Sequence, residues 1–259
     1  MEQDRYTELL EKYHFVIIEP EMSEYKPDAF CMTRDNDLRY DFMFELFKMR
    51  GSVYLQDGAI SKENLDKFGN YISPHDKYSW QVLLLDSSRK PHGGLRIRFW
   101  DFENIQAHFQ QTHARELIER MEGNNQTLYE ESIIRFLDEE MRTKFFGEVA
   151  GLVITDYEKN SPAALLLVAF CFAFGEFVGG FNALVSATER HYSNRIMRKI
   201  GGHRIPHVKT KEYLNTFFDS NYNCNMEYIV FESARPAALI EGLCKQIQEE
   251  LKTTLVLAH

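Results

Sequence analysis

Residues 162–187 constrain the fold more than any other part of the chain, because they are almost entirely apolar. Glu176 and Asn182 are the only strongly polar members of this segment, and three glycines interrupt its second half. The apolar run before Glu176 is shorter than the roughly 20 residues that a membrane-spanning helix needs. We therefore predict a buried helix followed by a buried strand, with a membrane span as the less favoured alternative.

The composition is that of a folded protein with an acidic surface. Of 259 residues, 44% are hydrophobic and 27% are charged, as in ordinary globular domains. The formal net charge of −9 argues against a protein whose whole surface binds nucleic acid or an anionic membrane. Residues 1–12 lack the apolar run of a signal peptide, and four widely spaced cysteines form no CxxC pair. We expect reduced thiols and a cytoplasmic protein.

Sequence patterns predict a mixture of helices and strands. The predicted helices are 4–13, 36–50, 107–121, one that starts at 162, one that ends at 201, and 236–251; the predicted strands are 15–18, 78–85, 95–102, 127–137, 181–186, 227–232 and 254–257. The polar loop 86–94 predicts an antiparallel hairpin. Since no repeat or linker divides residues 1–259, we predict a single domain of the α/β (α+β) class.

Common catalytic and metal-binding motifs are absent from the sequence. It contains no GxGxxG, GxxxxGK[ST], HExxH or GxSxG pattern. His108 and His113 are five residues apart, which does not bring two ligands onto one face of a helix. We therefore predict no metal site.

Residues 129–136 place charged side chains in an otherwise apolar stretch that we predict to be a strand. On strand alternation Glu131, Ile133 and Arg135 share one face, and a buried charge there needs a partner. Glu131 and Arg135 therefore form either a structural ion pair or part of a functional site.

Residues 189–211 form a basic segment in an acidic chain. Seven basic residues against one acidic residue give it a charge of +6, which leaves −15 for the rest of the protein. Arg195, Arg198 and Lys199 are three to four residues apart and can share one helical face. This face is either simply solvated or a docking site for an acidic partner.

Five short motifs follow one another between residues 38 and 204. They are Leu38-Arg39 in a predicted helix; an acidic element at Asp66; Gly93-Gly94-Leu95-Arg96-Ile97; a predicted strand with Glu131, Arg135 and Phe136; and an apolar helix, a strand and a basic helix that ends at Gly201. The ordered set resembles the acyl-homoserine-lactone synthase family and the related N-acyl amino acid synthases, within the GNAT acyltransferase superfamily. Residues 38–204 would be the family-like core, and residues 205–259 a C-terminal strand and helix extension.

The resemblance implies a fold and a site. The fold would be a central mixed, mostly antiparallel sheet flanked by helices, with splayed central strands. A fatty acyl thioester would lie between strands 127–137 and 181–186, with Glu131 as the catalytic base. The substrate-binding residues implied by the resemblance are Arg39, Asp66 and Arg96 in the acceptor pocket, Arg135, which would orient the glutamate, and Phe136.

The resemblance also implies the co-substrates. The sequence lacks the [QR]-x-x-G-x-[GA] loop with which many GNAT enzymes hold coenzyme A, which suits acyl-carrier protein as the donor, although acyl-CoA stays possible. Arg195, Arg198 and Lys199 would dock the acidic carrier protein. No tightly bound cofactor is implied, and S-adenosylmethionine is a possible co-substrate.

Three functions are compatible with these observations. The first is an N-acyltransferase that acts on S-adenosylmethionine or an amino acid, and gives an acyl-homoserine lactone for quorum sensing or an N-acyl amino acid. The second is a GNAT-like module that binds an acyl ligand or a protein without catalysis. The third is an acetyl-CoA-dependent N-acetyltransferase.

Overall fold

A computed structural model describes residues 2–22, 30, 32–121, 125–140, 143–155, 162–210 and 212–259. Short 3-10 turns connect several of the longer elements. In chain order the described helices and strands are α1 (Glu2–Lys12), β1 (Tyr13–Ile18), β2 (Met32–Thr33), α2 (Asn36–Gln56), β3 (Trp80–Asp86), β4 (Pro91–Asp101), α3 (Ile105–Phe109), α4 (His113–Glu119), α5 (Gln126–Glu140), β5 (Phe145–Ile154), α6 (Pro162–Phe177), β6 (Phe181–Thr188), α7 (Ser193–Lys199), β7 (His203–Arg204), β8 (Phe217–Asp219), β9 (Cys224–Glu232), α8 (Ala238–Leu251) and β10 (Leu255–Leu257).

The strands of the described chain form one ten-stranded sheet. Its order is β2-β10-β1-β3-β4-β5-β6-β9-β7, and β8 pairs with β9. The pairs β1–β10, β10–β2 and β5–β6 are parallel, and the others are antiparallel. The predicted α/β class, with a mixed, mostly antiparallel sheet between helices, is confirmed. Strands β9 and β10 pair with β6 and β1, so the C-terminal segment completes both halves of the sheet.

One face of the sheet is apolar. Alternate side chains of β3 and β4, such as Val82, Leu84 and Ile97, pack there with α6 and α8 in the largest buried cluster. The prediction of a buried helix from residue 162 is confirmed, since Phe170 and Phe174 of α6 are fully buried. Within the described residues, we find no helix whose length and apolar character would let it cross a membrane.

The opposite face is covered by α2, which contacts β3, β4 and β5, and by α3, α4 and α5. The predicted strand 127–137 is wrong, because these residues belong to α5. Tyr129, Ile133 and Leu137 are four residues apart and all buried, which is the helical period, whereas Glu131 between them is exposed. In the sequence, the spacing of the apolar residues fits the period of a strand as well as that of a helix. In the fold, these residues pack as one face of a helix.

Strands β5 and β6 splay apart in the middle of the sheet. They pair over four residues, and the pairing ends at Glu148 and Leu184. Both strands continue past this point, β5 to Ile154 and β6 to Thr188. Residues 149–152 are only half-buried although β5 is a central strand. The resemblance predicted a slot between splayed strands 127–137 and 181–186, whereas the strands that diverge are β5 and β6; the gap beyond Glu148 and Leu184 is called the slot below.

Candidate active site

Buried polar side chains lie on three adjacent strands beside this slot. Gln81 of β3 is opposite Arg96 of β4, and Arg98 of β4 is opposite Glu148 of β5. All four are buried. Strand alternation sends Ile97 between the two arginines to the apolar face. Because side chains alternate along each strand, two arginines, a glutamate and a glutamine all lie on the face beneath α2 and α4.

Arg50 enters this polar layer from α2. Its guanidinium donates hydrogen bonds to Asp76 Oδ1 at 2.7 Å, to Gln81 Oε1 at 2.8 Å and to the carbonyl oxygen of Gly151 at 3.2 Å. Arg50 is only 1% exposed, and a charge this deeply buried requires such partners. It connects α2 to the turn before β3, to β3 itself and to β5.

Strand β5 carries a β-bulge at the slot. Gly151 and Leu152 together oppose Leu95 of β4, so the register shifts by one residue. Gly151 has a φ of +63°, and a Cβ atom there would lie 2.9 Å from Arg50 Nη2. Glycine thus meets two requirements at once, the left-handed backbone and the space for the guanidinium. Because a bulge bends its strand, its position explains why β5 diverges where it does.

Glu148 is the carboxylate at the point where β5 and β6 separate. Its oxygens accept hydrogen bonds from the backbone N–H groups of His113 at 3.0 Å and Ala114 at 2.9 Å. These residues begin α4, whose start is set by Thr112, since its side chain accepts from the N–H of Arg115. A carboxylate has about four acceptor positions, so Glu148 retains capacity for a proton or a further donor.

Asp76 is shared by two buried arginines. Its Oδ1 accepts from Arg96 Nη1 at 3.4 Å as well as from Arg50. Burial alone raises the pKa of Asp76, but the charges of Arg50 and Arg96 outweigh it and hold the pKa below the ordinary value. Burial lowers the pKa of Arg96, and the Asp76 and Glu148 carboxylates more than reverse this. Arg50 and Arg96 thus share one hydrogen-bonded carboxylate, and Glu148 is the second carboxylate near Arg96.

Two half-buried tyrosines, Tyr54 and Tyr222, interact electrostatically with Arg96. The Tyr54 hydroxyl donates to the carbonyl oxygen of Leu152 at 3.1 Å, and burial raises its pKa to about 12. The Tyr222 hydroxyl lies 3.2 Å from His113 Nε2, and burial raises the pKa of this phenol also. Both phenols stay protonated at neutral pH, so neither acts as a base.

A group formed by His75, His113 and Glu116 adjoins the site at the start of α4. The Glu116 carboxylate lies 2.9 Å from His75 Nε2 and 3.3 Å from His113 Nδ1. One ligand atom from each residue lies within 4.8 Å of the others, so the three could hold a metal ion. The sequence prediction of no metal site considered His108 with His113, whereas the fold brings His75 to His113 from 38 residues away.

Arg96 lies in the site, but two other residues expected in the acceptor pocket do not. Arg39 lies in the first turn of α2, 11 residues before Arg50, which corresponds to about 16 Å along a helix. Its guanidinium donates to the backbone carbonyl that follows β1. Asp66 is exposed in a loop, where it accepts hydrogen bonds from nearby backbone N–H groups. In the structure, Arg50 and Asp76 accompany Arg96 in their place.

The residues expected around the catalytic base also lie elsewhere. Glu131 and Arg135 are on α5, where Arg135 Nε donates to Glu139 Oε2 at 2.8 Å in a surface ion pair. Phe136 is half-buried and packs against the apolar cluster beneath α5. The assignment of Glu131 as the base required a strand, and the segment is a helix. The carboxylate that a strand does bring to the slot is Glu148.

The basic residues expected to dock a carrier protein lie on α7. Arg195 and Lys199 are exposed, with the exposed side chain of Ile196 between them. Arg198 is half-buried, and its Nη1 lies 3.4 Å from Oε1 of the buried Glu227. Part of the charge on this helix is therefore neutralised within the fold, and Arg195 and Lys199 carry the exposed part.

Sequence reasoning missed Arg50, Asp76 and Glu148. Glu148 had a detectable signal, because it is a single carboxylate within the apolar stretch Phe145–Ile154. Arg50 falls at the end of a predicted helix and Asp76 in a polar loop, and neither position differs locally from a solvent-exposed one. Only the packing of α2 against β3 and β5 buries them.

The sequence matches no family model and no curated protein. Solved structures with a similar fold include BjaI, a CoA-dependent acyl-homoserine lactone synthase with SAM and isopentyl-CoA, at a TM-score of 0.51 and 9% identity over 95% of this chain and 93% of that one. TofI in a ternary complex with an inhibitor and MTA matches at 0.53 and 10% identity, over 89% and 96%. FeeM, an N-acyl amino acid synthase from uncultured soil microbes, matches at 0.45 and 12% identity, over 79% and 89%.

The chain therefore shares its fold with BjaI and TofI, and buried charges lie beside the slot between its splayed strands. More particularly, it shares that fold over nearly its whole length with an acyl-homoserine lactone synthase. The resemblance inferred from the sequence is confirmed at the level of the fold.

Proposed function

We propose that the protein is an N-acyltransferase that moves a fatty acyl group from a thioester to the amine of an amino acid or of S-adenosylmethionine. The observation that carries this proposal is the position of Glu148, a buried carboxylate where β5 and β6 separate. The fold shared with BjaI, which is a CoA-dependent acyl-homoserine lactone synthase, supports it. The product would be an acyl-homoserine lactone that serves quorum sensing, or an N-acyl amino acid.

The proposed reaction takes place in the slot. The acyl chain lies between β5 and β6, and the neutral amine attacks the thioester carbonyl. Glu148 accepts the amine proton, directly or through a water molecule. A backbone N–H of residues 149–152, beyond the last β5–β6 pair, stabilises the oxyanion. The C–N bond forms, the C–S bond of the thioester breaks, and the leaving thiolate takes up a proton. When S-adenosylmethionine is the acceptor, its carboxylate then attacks the γ-carbon, the bond from that carbon to the sulfonium sulfur breaks, and methylthioadenosine leaves as the lactone closes.

The acceptor is an amine that also carries a carboxylate. Arg96 is buried, and its hydrogen bond to Asp76 is long at 3.4 Å, so most of its donor groups remain for a ligand. Arg50 is committed by three shorter bonds and keeps Asp76 in place. A carboxylate is the ligand that a guanidinium binds best, in two parallel hydrogen bonds. Amino acids and S-adenosylmethionine both satisfy this requirement.

The donor is acyl-carrier protein, bound at α7. Arg195 and Lys199 offer exposed positive charge next to the apolar side chain of Ile196, which suits an acidic partner with a small apolar contact. Acyl-CoA is the second candidate donor, and the observation that favours it is that BjaI, similar in fold, is CoA-dependent.

The decisive experiment incubates the purified full chain with acylated carrier protein or with acyl-CoA of several chain lengths. Each donor is combined with S-adenosylmethionine, a panel of amino acids and, as a control, simple amines without a carboxylate. Mass spectrometry should detect N-acyl products from carboxylate-bearing amines. An acyl donor that binds without giving product with any amine would contradict the proposal and favour a non-catalytic module, and turnover of acetyl-CoA alone would favour an N-acetyltransferase.

A further inference from the structure

The group of His75, His113 and Glu116 has the composition and spacing of a divalent metal site. His113 and Glu116 are three residues apart on α4, so they share one face of that helix. His75 approaches from the turn before β3, and its ring meets that of His113 with centroids 5.7 Å apart. A tetrahedral zinc ion with bonds of about 2.0–2.1 Å requires donor atoms about 3.3 Å apart. The ligand atoms already lie within 4.8 Å of one another.

The Glu116 carboxylate already lies at about this spacing from both histidines, 2.9 Å from His75 Nε2 and 3.3 Å from His113 Nδ1. The Glu116 side chain is 46% exposed, whereas the His75 and His113 side chains are 10% and 17% exposed. His75 is held by its backbone, because its N–H donates to Ser73 Oγ and its carbonyl accepts from Ser79 Oγ at 2.8 Å. Two largely buried imidazoles therefore lie beside a more exposed carboxylate.

The surroundings also resemble those of a metal centre. A histidine that binds a metal through one ring nitrogen is usually oriented by a hydrogen bond at the other. If His113 binds through Nδ1, its Nε2 lies 3.2 Å from the Tyr222 hydroxyl, which supplies that bond. Arg96 repels a cation, but Glu116 and Glu148 lie near His75 and attract one.

We propose that His75 Nε2, His113 Nδ1 and the Glu116 carboxylate bind a divalent transition-metal ion of the zinc type. Two imidazoles and one carboxylate are a donor set that zinc prefers, and three protein ligands leave a fourth position open. The ion would adjoin the site described above, because the backbone N–H of His113 also binds Glu148. The inference rests on these residues alone and does not depend on acyl transfer.

The test measures metal binding by the full chain without any substrate. Protein freed of metal with a chelator is titrated with Zn²⁺ by calorimetry, and with Co²⁺, whose visible absorption reports the ligands and the coordination number. We expect one equivalent per chain. The variants His75→Gln, His113→Gln and Glu116→Gln should weaken binding by at least about 100-fold, and Tyr222→Phe, which removes only the orienting bond, by about tenfold.

His203→Gln is the matched control, because His203 is an exposed histidine on β7. Circular dichroism shows whether each variant is folded. If a variant does not fold, the wild-type chain still gives an answer: Zn²⁺ should protect His75 and His113, but not His203, from modification by diethyl pyrocarbonate. Binding that is absent, or that survives in all three ligand variants, or a protection pattern that does not distinguish His203, would overturn the proposal and leave a hydrogen-bonded group only.

Discussion

The two faces of the central sheet solve different physical problems with the same strands. Towards α6 and α8, alternate residues of β3, β4 and β6 are apolar, and aromatic rings such as Phe99, Phe174 and Phe181 fill the space. Towards α2 and α4, the intervening residues include Gln81, Arg96 and Glu148. The apolar face can tolerate changes that preserve volume, whereas each charge on the polar face depends on particular partners. The face towards α6 and α8 carries the largest apolar cluster, whereas the other face combines two apolar clusters with paired buried charges.

The largest expected effect distinguishes two carboxylates that look alike in the sequence. We expect Glu148→Gln to lower the rate of acyl transfer by about 10²–10⁴-fold, the range for loss of a general base. Glu131→Gln should leave the rate within about twofold, because Glu131 is solvent-exposed on α5 and not on either of the strands that form the slot. Initial rates of product formation by mass spectrometry test this, with circular dichroism as the check on folding. A greater loss for Glu131→Gln would restore the assignment inferred from the sequence.

The next prediction compares how the two faces respond to losing one partner. Asp76→Ala leaves Arg50 buried without its carboxylate and should lower the free energy of unfolding by about 3–5 kcal/mol. Adding Arg50→Met should recover part of this loss, because it removes one of the two buried arginines that lose the Asp76 carboxylate. On the apolar face Phe174→Ala should cost a similar 3–5 kcal/mol or so.

The two faces should differ in whether the effects of two substitutions depend on each other. In the double variant Arg50→Met/Phe174→Ala, the losses in the free energy of unfolding of the two single variants should simply add, since these two side chains do not share partners. Urea denaturation of the three single and two double variants measures the free energy of unfolding of each. If Arg50→Met gives no recovery with Asp76→Ala, the polar face is not organised around this pair.

A half-buried carboxylate outside the site provides a pH-dependent prediction. Burial raises the pKa of Glu250 in α8 to about 7, from an ordinary value of 4.5. The folded state thus binds the proton more tightly than the unfolded state, so this group lowers stability as pH rises from 4.5 to 7. Glu250→Gln should flatten the fall of the melting temperature over that interval. Glu249→Gln, at an exposed neighbour, is the control and should leave the slope unchanged.

The smallest expected effect concerns the surface of α7. Replacing Arg195 and Lys199 by glutamate should raise KM for acylated carrier protein a few-fold, since exposed charge pairs contribute about 0.2–1 kcal/mol each. The effect should fade with added salt, and kcat should stay constant. Lys245→Glu, on the exposed side of α8, is the matched control. An unchanged KM for carrier protein together with saturable turnover of acyl-CoA would identify acyl-CoA as the donor.

The parts of the fold that were predictable from sequence are those with strong local patterns. The β3–β4 hairpin, the apolar helix α6, strand β6 and helix α8 all have unambiguous periods or turn residues, and the structure contains each of them. Residues 127–137 have apolar side chains at spacings that fit both a strand and a helix. Interpreting these residues as a strand assigns Glu131, Arg135 and Phe136 to the site. The strand at that place is β5, which carries Glu148.

The sequence by itself determined the class of fold, because residues 162–187 require burial by a sheet and further helices, and the strand alternation around Arg96 assigns that arginine to the face opposite the apolar core. Tertiary structure alone decided which charges meet. Arg50, Asp76 and Gly151 are far apart along the chain, and Arg50 reaches the other two only because α2 crosses β3, β4 and β5. Local patterns report the period of a chain, whereas a site depends on contacts between distant segments, and no local pattern encodes those.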